Sequence, residues 1–194
     1  MLHIGITGGI GSGKTTVCKI FETLGIPVYY ADDRAKALMT NDLRLVATLK
    51  NAFGNETYLP DGALNRSYLA AAVFGDTEKL AQLNAIVHPA VIADGIAWQQ
   101  AQTLAPYTLK EAALLIESGS YKNMDKIIVV VAPLELRIAW VMHRDGTTEA
   151  AVQARITQQL SDAERQKYAH FTIYNDGAQS LVEQVVAVHR QLLY

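Results

Sequence analysis

The sequence of 194 residues has a single cysteine, which excludes a fold held together by intrachain disulfides and is typical of a reducing compartment. Its 17 lysines and arginines against 19 aspartates and glutamates leave a net charge of -2, so the chain lacks the basic excess of nucleic-acid-binding proteins. No uninterrupted apolar run approaches the roughly 20 residues of a membrane helix. The first residues do not combine a basic start with a long apolar stretch, so no signal peptide is indicated. We therefore expect a cytoplasmic protein that acts without a membrane or nucleic acid.

The composition is that of a globular protein, with 50% hydrophobic and 19% charged residues. This length is enough for one domain with a sizeable core and small inserted lobes. No internal repeat or low-complexity linker divides the chain, so we expect a single domain.

The first thirty residues alternate between strand and helix patterns. Leu2–Thr7 is a short apolar strand candidate that leads directly into a glycine-rich stretch. From Lys14 onward the apolar residues recur at helical spacing, and Ile26–Tyr30 is a second predicted strand. Strand, glycine loop, helix and strand form a βαβ unit, which predicts a parallel sheet covered by helices.

The remainder of the chain continues the α/β pattern after a long helical segment. Residues 34–102 are predicted to be mostly helical. Further elements follow in order: strands at Thr108–Ile116 and Lys126–Val131, helices at Leu134–His143 and Glu149–Leu160, a strand at Phe171–Tyr174 and a helix from Ser180.

The glycine-rich stretch matches the pattern G-x-x-x-x-G-K-[ST] between a predicted strand and helix, the context that a phosphate-binding P-loop requires. Glycines allow the backbone to approach an anion, and the helix N-terminus adds partial positive charge. Lys14 supplies a charge for the β- and γ-phosphates, and the Thr15 hydroxyl is a ligand for Mg²⁺. The sequence therefore predicts binding of a nucleoside triphosphate by Gly9, Ile10, Gly11, Ser12, Gly13, Lys14, Thr15 and Thr16.

The chain lacks the sequence motifs and the length that characterise other classes of P-loop protein. The chain has no Asn-Lys-x-Asp motif of guanine-nucleotide switches, no Ser-Gly-Gly-Gln signature of transporter ATPases, and no room for motor domains. A small-molecule kinase remains, and it needs a carboxylate to orient an acceptor hydroxyl. Asp32 and Asp33 follow the second strand and are the candidates, although a helix N-cap and first-turn acid would also account for one of them.

Several further motifs resemble the dephospho-CoA kinase family in the order in which that family has them. Tyr30-Ala31-Asp32 corresponds to its D-A-D, with the catalytic base at Asp32. The other matching segments are Thr7–Thr15 (T-G-G-I-G-S-G-K-T), Asp61-Gly62 with Arg66 and Val73-Phe74, Leu83–Pro89 (L-x-x-I-x-H-P), Leu114–Gly119 (L-L-I-E-S-G), Arg144-Asp145-Gly146, and Ala154–Gln159 (A-R-I-x-x-Q).

The resemblance implies an α/β P-loop fold with a helical acceptor-binding lobe and a helical lid. The core would comprise residues 1–33, 103–133 and 166–194, the lobe about 34–102 and the lid about 134–165. The implied reaction transfers the γ-phosphate of ATP, with Mg²⁺, to the ribose 3′-hydroxyl of dephospho-CoA, the last step of coenzyme A synthesis. ATP rather than GTP follows from the resemblance alone. Arg144 and Arg155 would close over the phosphates.

Three further residues have two interpretations each. Glu117 either holds Mg²⁺ through water at the end of a buried strand or is an ordinary strand-end acid. Arg66 either pairs with a substrate phosphate or with Asp61. His88, next to Pro89, either contacts the acceptor or is a packing or capping residue.

The sequence departs from the family pattern at two positions that concern the site. Tyr30 replaces the first aspartate of D-A-D, and Trp140 stands where many members have the first arginine of the lid. Arg137, one turn earlier on the same helix face, is the candidate to replace that arginine.

Two other functions remain open at this point. One is a kinase for another small acceptor, such as a nucleoside or sugar acid, and the other is a regulatory nucleotide-binding module without an acceptor. The partner is expected to be a small molecule, and the chain to be a monomer or small homo-oligomer.

Overall fold

The computed structural model describes residues 1–193. Five parallel strands form one sheet in the order β2-β3-β1-β4-β5. The central strand pairs in parallel register with β3 on one side and β4 on the other, and it is the strand that leads into the P-loop. The strands are β1 (Leu2–Thr7), β2 (Val28–Tyr30), β3 (Tyr107–Glu111), β4 (Lys126–Val131) and β5 (Phe171–Tyr174).

The helices follow the strands in the alternation that a parallel sheet requires, apart from a helical series after β2. They are α1 (Lys14–Thr23), α2 (Ala31–Asn41), α3 (Leu43–Phe53), α4 (Arg66–Val73), α5 (Thr77–Gln100), α6 (Leu134–Asp145), α7 (Glu149–Ile156), α8 (Asp162–Gln166) and α9 (Leu181–Leu192). Short 3₁₀ helices lie at Asn55–Thr57 and Ser120–Asn123.

The described chain divides into two compact units. The sheet unit comprises residues 1–30 and 102–193, and the helical unit comprises Ala31–Ala101. The predicted α/β P-loop fold is confirmed by the parallel sheet flanked by helices. The functions assigned to the lobe and the lid stay predictions.

The sheet unit has apolar residues on both faces of its strands, as expected for a parallel sheet covered by helices. Successive residues of β4 alternate between two clusters, because side chains along a strand point to opposite faces. Ile128 and Val130 join the cluster formed with α1 and α9, whereas Ile127 and Val129 pack with Leu115 on the other face. The helical unit has its own buried cluster, made of Leu45, Leu49, Phe53, Tyr58, Leu69 and Val87.

Strands β1, β4 and β5 have the predicted bounds, but the prediction for β3 was wrong. The strand ends at Glu111 instead of Ile116. Leu115 and Ile116 are buried in turns that follow the strand, so their apolar character reflects burial without strand pairing. The predicted helix at Glu149–Leu160 also ends early, at Ile156, and the five-residue helix α8 was not predicted.

The helical unit contains one continuous helix of 24 residues, α5, with Pro89 inside it. By length and composition alone this helix could cross a membrane, and a single helix of this kind is weak evidence. The sequence contains no long uninterrupted apolar run, and this also holds for α5, since polar residues such as His88 and Asp94 lie among its apolar ones. The absence of a membrane partner therefore stays a prediction.

The only cysteine, Cys18, lies in the core beneath the P-loop and is fully buried. Burial raises the pKa of its thiol far above the ordinary value; Glu111 and Glu22 raise it further, while Lys14 lowers it. Only the thiolate reacts with disulfide reagents. We expect labelling of native protein by such a reagent to be at least about 100-fold slower than labelling of the urea-unfolded chain, since reaction requires opening of the core. Fast labelling that increases with pH in the native protein would contradict this.

Candidate active site

The N-terminus of α1 has no side-chain cap. Its N-cap is Gly13, in the left-handed conformation with φ 92°, and this residue has no side chain to cap the helix. No acidic residue lies in the first turn either. Free N–H groups at a helix N-terminus form an anion site, because the helix dipole adds to their positive charge.

Lys14, the first residue of α1, is folded back over this loop. Its Nζ donates hydrogen bonds to the carbonyl oxygens of Gly8 at 3.0 Å and Gly9 at 3.2 Å. The side chain is largely buried, whereas Thr15 and Thr16 are exposed at the start of the helix. Of the predicted phosphate-binding residues, Gly11, Gly13, Lys14, Thr15 and Thr16 line one cavity, whereas Gly9 and Ser12 are buried.

The glycines of the loop are also required by close packing on its other side. A Cβ atom at Gly9 would overlap the Arg137 guanidinium, and one at Gly13 would overlap the Asn175 amide. At Gly11 a Cβ would lie 2.7 Å from the Arg137 carbonyl oxygen and 2.8 Å from Cγ2 of Val141. The glycines thus let α6 lie directly against the loop.

Arg137 connects α6 to the loop by hydrogen bonds. It is only 5% exposed, and its Nε donates to the Ile10 carbonyl oxygen at 2.9 Å. Its NH1 forms an ion pair with Asp162 at 3.0 Å. Asp162 also pairs with NH1 of Arg165 at 3.3 Å, and NH2 of Arg165 pairs with Glu117 at 3.0 Å. These four side chains form a charge network in which both arginines are buried and both carboxylates are partly exposed.

A second link joins the loop to the segment after α7. The amide N–H of Ile10 donates to Oε1 of Gln159 at 2.9 Å. Both backbone groups of Ile10 are therefore engaged by side chains from residues 134–165. The tip of the P-loop is consequently fixed by this segment.

The two arginines predicted to act as a lid lie together on one carboxylate. Arg144 and Arg155 both pair with Asp145, at 2.7 and 3.1 Å, and both are more than half exposed. The hydrogen bond from Arg144, followed by the contribution of Arg155, holds the pKa of Asp145 below its ordinary value. Because that pKa is depressed, the pairs persist at neutral pH and are lost only as pH falls through the lowered value.

A cavity of about 460 Å³ opens beside the start of α1. This size lies within the range of small-molecule sites. Its walls come from the P-loop, α6 and the segment after β5, and are formed by Gly11, Gly13, Lys14, Thr15, Thr16, Trp140, Val141, Arg144, Asn175 and Leu181.

The structure places two carboxylates differently from the sequence prediction. Glu117 does not end a strand; it lies in the turns after β3, where Oε1 accepts hydrogen bonds from Arg165 and from the Leu160 amide. Glu111, which the prediction missed, is the residue that ends β3. It is 7% exposed and pairs in register with Ile6 of the strand that enters the P-loop. Because the strand was predicted to continue to Ile116, Glu111 was not recognised as its last residue.

Asp32 and Asp33 both lie in the first turn of α2, directly after β2. Because β2 ends at Tyr30, both carboxylates extend from a helical turn and not from the strand. Asp33 is paired with Lys36 at 2.7 Å. The Asp32 side chain is exposed, and no hydrogen bond or ion pair of it is found within residues 1–193.

The other predicted residues of the helical unit are exposed. Arg66 begins α4, and no pairing with Asp61 is found in the described chain; the Asp61 carboxylate instead accepts from the Ala63 amide at 3.0 Å. His88 lies exposed in the middle of α5, which disagrees with a packing or capping role. Contact of either residue with an acceptor stays a prediction.

Comparison with known proteins agrees with this geometry. The family model described as dephospho-CoA kinase matches residues 2–180. The chain is 43% identical over 179 residues to the dephospho-CoA kinase of Salinibacter ruber, covering 91% of this chain and 90% of that protein. It is 37% identical over 185 residues to that of Bacteroides fragilis, covering 95% and 90%. The chain belongs to the dephospho-CoA kinase family.

Solved structures support the assignment. A Thermus thermophilus protein of 34% identity superposes with a TM-score of 0.88, covering 100% of this chain and 98% of that one. The dephospho-CoA kinase of Campylobacter jejuni, at 27% identity, has a TM-score of 0.71 and covers 98% and 96%. The resemblance to the dephospho-CoA kinase family stated from the motifs is confirmed.

Both departures from the dephospho-CoA kinase pattern have clear structural settings. Tyr30 ends β2, where burial, then nearby Cys18 and Glu22, and a hydrogen bond with Glu22 raise the pKa of its hydroxyl. It therefore stays neutral and supplies no second carboxylate. Arg137 is buried against the loop, so its guanidinium does not occupy the position of an exposed lid arginine. Trp140 itself forms part of the cavity wall.

We expect Asp162→Asn to destabilise the protein by about 2–4 kcal/mol, because two buried guanidinium groups lose the carboxylate with which both form ion pairs. Unfolding in urea measures this change. The matched control is Asp145→Asn, which also removes a carboxylate shared by two arginines. In this case both arginines are exposed. Little change is expected there. Equal losses for the two variants would show that burial of the network contributes nothing.

Proposed function

We propose that this protein transfers the γ-phosphate of ATP to the ribose 3′-hydroxyl of dephospho-CoA, the last step of coenzyme A synthesis. The observation that carries the proposal is the family match over residues 2–180, which includes the P-loop, the lid segment and the helical unit. The uncapped N-terminus of α1 beside a cavity of nucleotide size supports it from geometry.

The P-loop residues bind the polyphosphate. The N–H groups of the first turn of α1 contact the phosphate oxygens, and the Lys14 ammonium neutralises charge on the β- and γ-phosphates. Since charge spreads over the transferring group, a preorganised cation at this position stabilises the transition state more than the ground state. Arg144 and Arg155 add positive charge on the side of the lid.

Asp32 orients the acceptor. Its carboxylate accepts a hydrogen bond from the 3′-hydroxyl and takes the proton as the oxygen attacks phosphorus. The absence of a salt bridge to Asp32 within the described residues favours it over Asp33, which pairs with Lys36. Arg66 and His88, both exposed in the helical unit, are proposed contacts for the acceptor.

The donor set at the start of α1 fits Mg²⁺. The Thr15 hydroxyl is exposed there, and Glu111 ends the strand next to the one that enters the loop. No cluster of three metal-ligating side chains exists in the part of the chain that is described. Mg²⁺ does not need one, because it is usually held by one or two carboxylates with water and substrate phosphates. Bound there, it would neutralise phosphate charge. Glu111 is a further candidate beside Glu117, whose Oε1 accepts a hydrogen bond from Arg165.

The proposed setting is the cytoplasm, with a small-molecule acceptor and ATP as donor. The decisive experiment measures ADP release from ATP and Mg²⁺ with and without dephospho-CoA, together with the mass of the acceptor. Gain of one phosphate by dephospho-CoA is expected. ADP release without any acceptor dependence would instead favour a nucleotide-binding module, and stimulation only by other hydroxylated metabolites would favour a different kinase.

Lys14→Ala should lower kcat by about 10²–10³-fold, the usual effect of removing one group that stabilises transition-state charge. Steady-state kinetics with saturating ATP and acceptor measure it. Lys19→Ala removes an exposed lysine from the same helix and serves as control. A kcat for Lys14→Ala equal to that of the control would refute the assignment of the loop.

Asp32→Asn should lower kcat by about 10²–10⁴-fold while leaving the KM for ATP nearly unchanged, because only the acceptor hydroxyl loses its base. Asp33→Asn is the matched control, one residue away on the same helical turn, and should keep most activity. If Asp33→Asn is the more damaging change, the catalytic carboxylate has been assigned to the wrong residue.

A further inference from the structure

The cavity beside α1 is lined by both polar and apolar residues. The polar ones include Lys14, Thr15 and Thr16 at the start of α1. The apolar side chains are those of Trp140 and Val141 on α6 and Leu181 at the start of α9. Apolar side chains do not bind phosphate groups, so these three residues are suited to contact another part of the ligand.

Trp140 is 40% exposed, although two nearby residues of α6 are buried. Arg137 is 5% exposed and Val141 is 1% exposed. Within residues 1–193 the Trp140 indole has no ring contact and no hydrogen bond. An aromatic ring that is left unpaired on a cavity wall is suited to contact a planar ligand group.

The position of Trp140 relative to the phosphate site is fixed by packing. The next residue, Val141, and the backbone of Arg137 lie directly against Gly11, leaving no space for a Cβ there. The Arg137 hydrogen bond to Ile10 holds the same helix turn to the loop. The α6 backbone that carries Trp140 is therefore held against the loop, and Trp140 lines the same cavity as Lys14 and Thr15.

We propose that the Trp140 indole is the stacking platform for the base of the bound nucleoside triphosphate. With the phosphates held at the N-terminus of α1, the base extends along the cavity and lies against the ring. A tryptophan face binds any base by stacking and favours the larger purines. Stacking on Trp140 therefore favours a purine nucleotide by contact area. This inference deepens the proposed function, since it concerns the donor of the same reaction.

The test uses binding alone, so it does not depend on any acceptor. Affinities are measured calorimetrically for a non-hydrolysable ATP analogue and for inorganic tripolyphosphate, which has no base. Trp140→Ala and Trp140→Leu should bind the ATP analogue about 5- to 100-fold more weakly, the range that loss of base stacking produces. Binding of tripolyphosphate should be unchanged. Trp140→Phe, which keeps an aromatic face, should retain most of the affinity.

The control is Leu134→Ala, which removes an exposed apolar side chain from the same helix outside the cavity. It should bind both ligands normally. Equal weakening of the two ligands by Trp140→Ala would overturn the proposal, because Trp140 would then act through the loop. Full affinity of Trp140→Leu for the ATP analogue would also overturn it, because any apolar cover would suffice.

Fluorescence supplies an independent measurement. The protein has two tryptophans, Trp98 and Trp140, so Trp98→Phe leaves Trp140 as the sole reporter. The ATP analogue should change the emission of this variant, and tripolyphosphate should not. Emission that responds equally to both ligands, or to neither, would contradict stacking. Failure of phosphate transfer to dephospho-CoA would refute the proposed acceptor while leaving these binding results unaffected.

Discussion

The hydrogen bond from the Arg137 guanidinium to the Ile10 carbonyl is the interaction on which the arrangement of the site depends. It brings α6 against the P-loop, and the glycines of the loop leave the space for this approach. Residues of α6 and of the loop both line the cavity, together with Asn175 and Leu181. Gln159 binds the amide of the same residue, so the loop tip is held from both sides by residues of one segment.

The cost of burying Arg137 and Arg165 explains why two carboxylates accompany them. A buried charge without a partner is strongly destabilising, so each guanidinium needs a carboxylate within hydrogen-bonding distance. Asp162 forms ion pairs with both arginines, and Glu117 forms a second ion pair with Arg165. Glu117 therefore has a structural role that is independent of any metal. Through Glu117, the turns after β3 are connected to α8, the short helix that contains both Asp162 and Arg165.

The sequence predicts those parts of the fold that depend on neighbouring residues. The P-loop, β1, β4 and β5 follow from glycine spacing and runs of β-branched residues, and the structure has them at the predicted bounds. The end of β3 could not be predicted, because buried turns and buried strands have the same apolar composition. The pairing of Arg165 with Glu117 joins residues 48 positions apart and leaves no local signal. The exposure of Trp140 beside buried neighbours likewise depends on how α6 meets the loop.

The close approach of Arg137 to Gly9 has a consequence for how these two positions can change in evolution. The three atoms nearest to a Cβ placed at Gly9 all belong to the Arg137 guanidinium. The backbone of Gly9 does not adopt a positive φ angle, so its conformation alone does not exclude alanine. The restriction on this glycine is therefore imposed by a side chain distant in sequence. Lineages that replace Arg137 with a shorter residue are released from it, and the two positions are expected to covary.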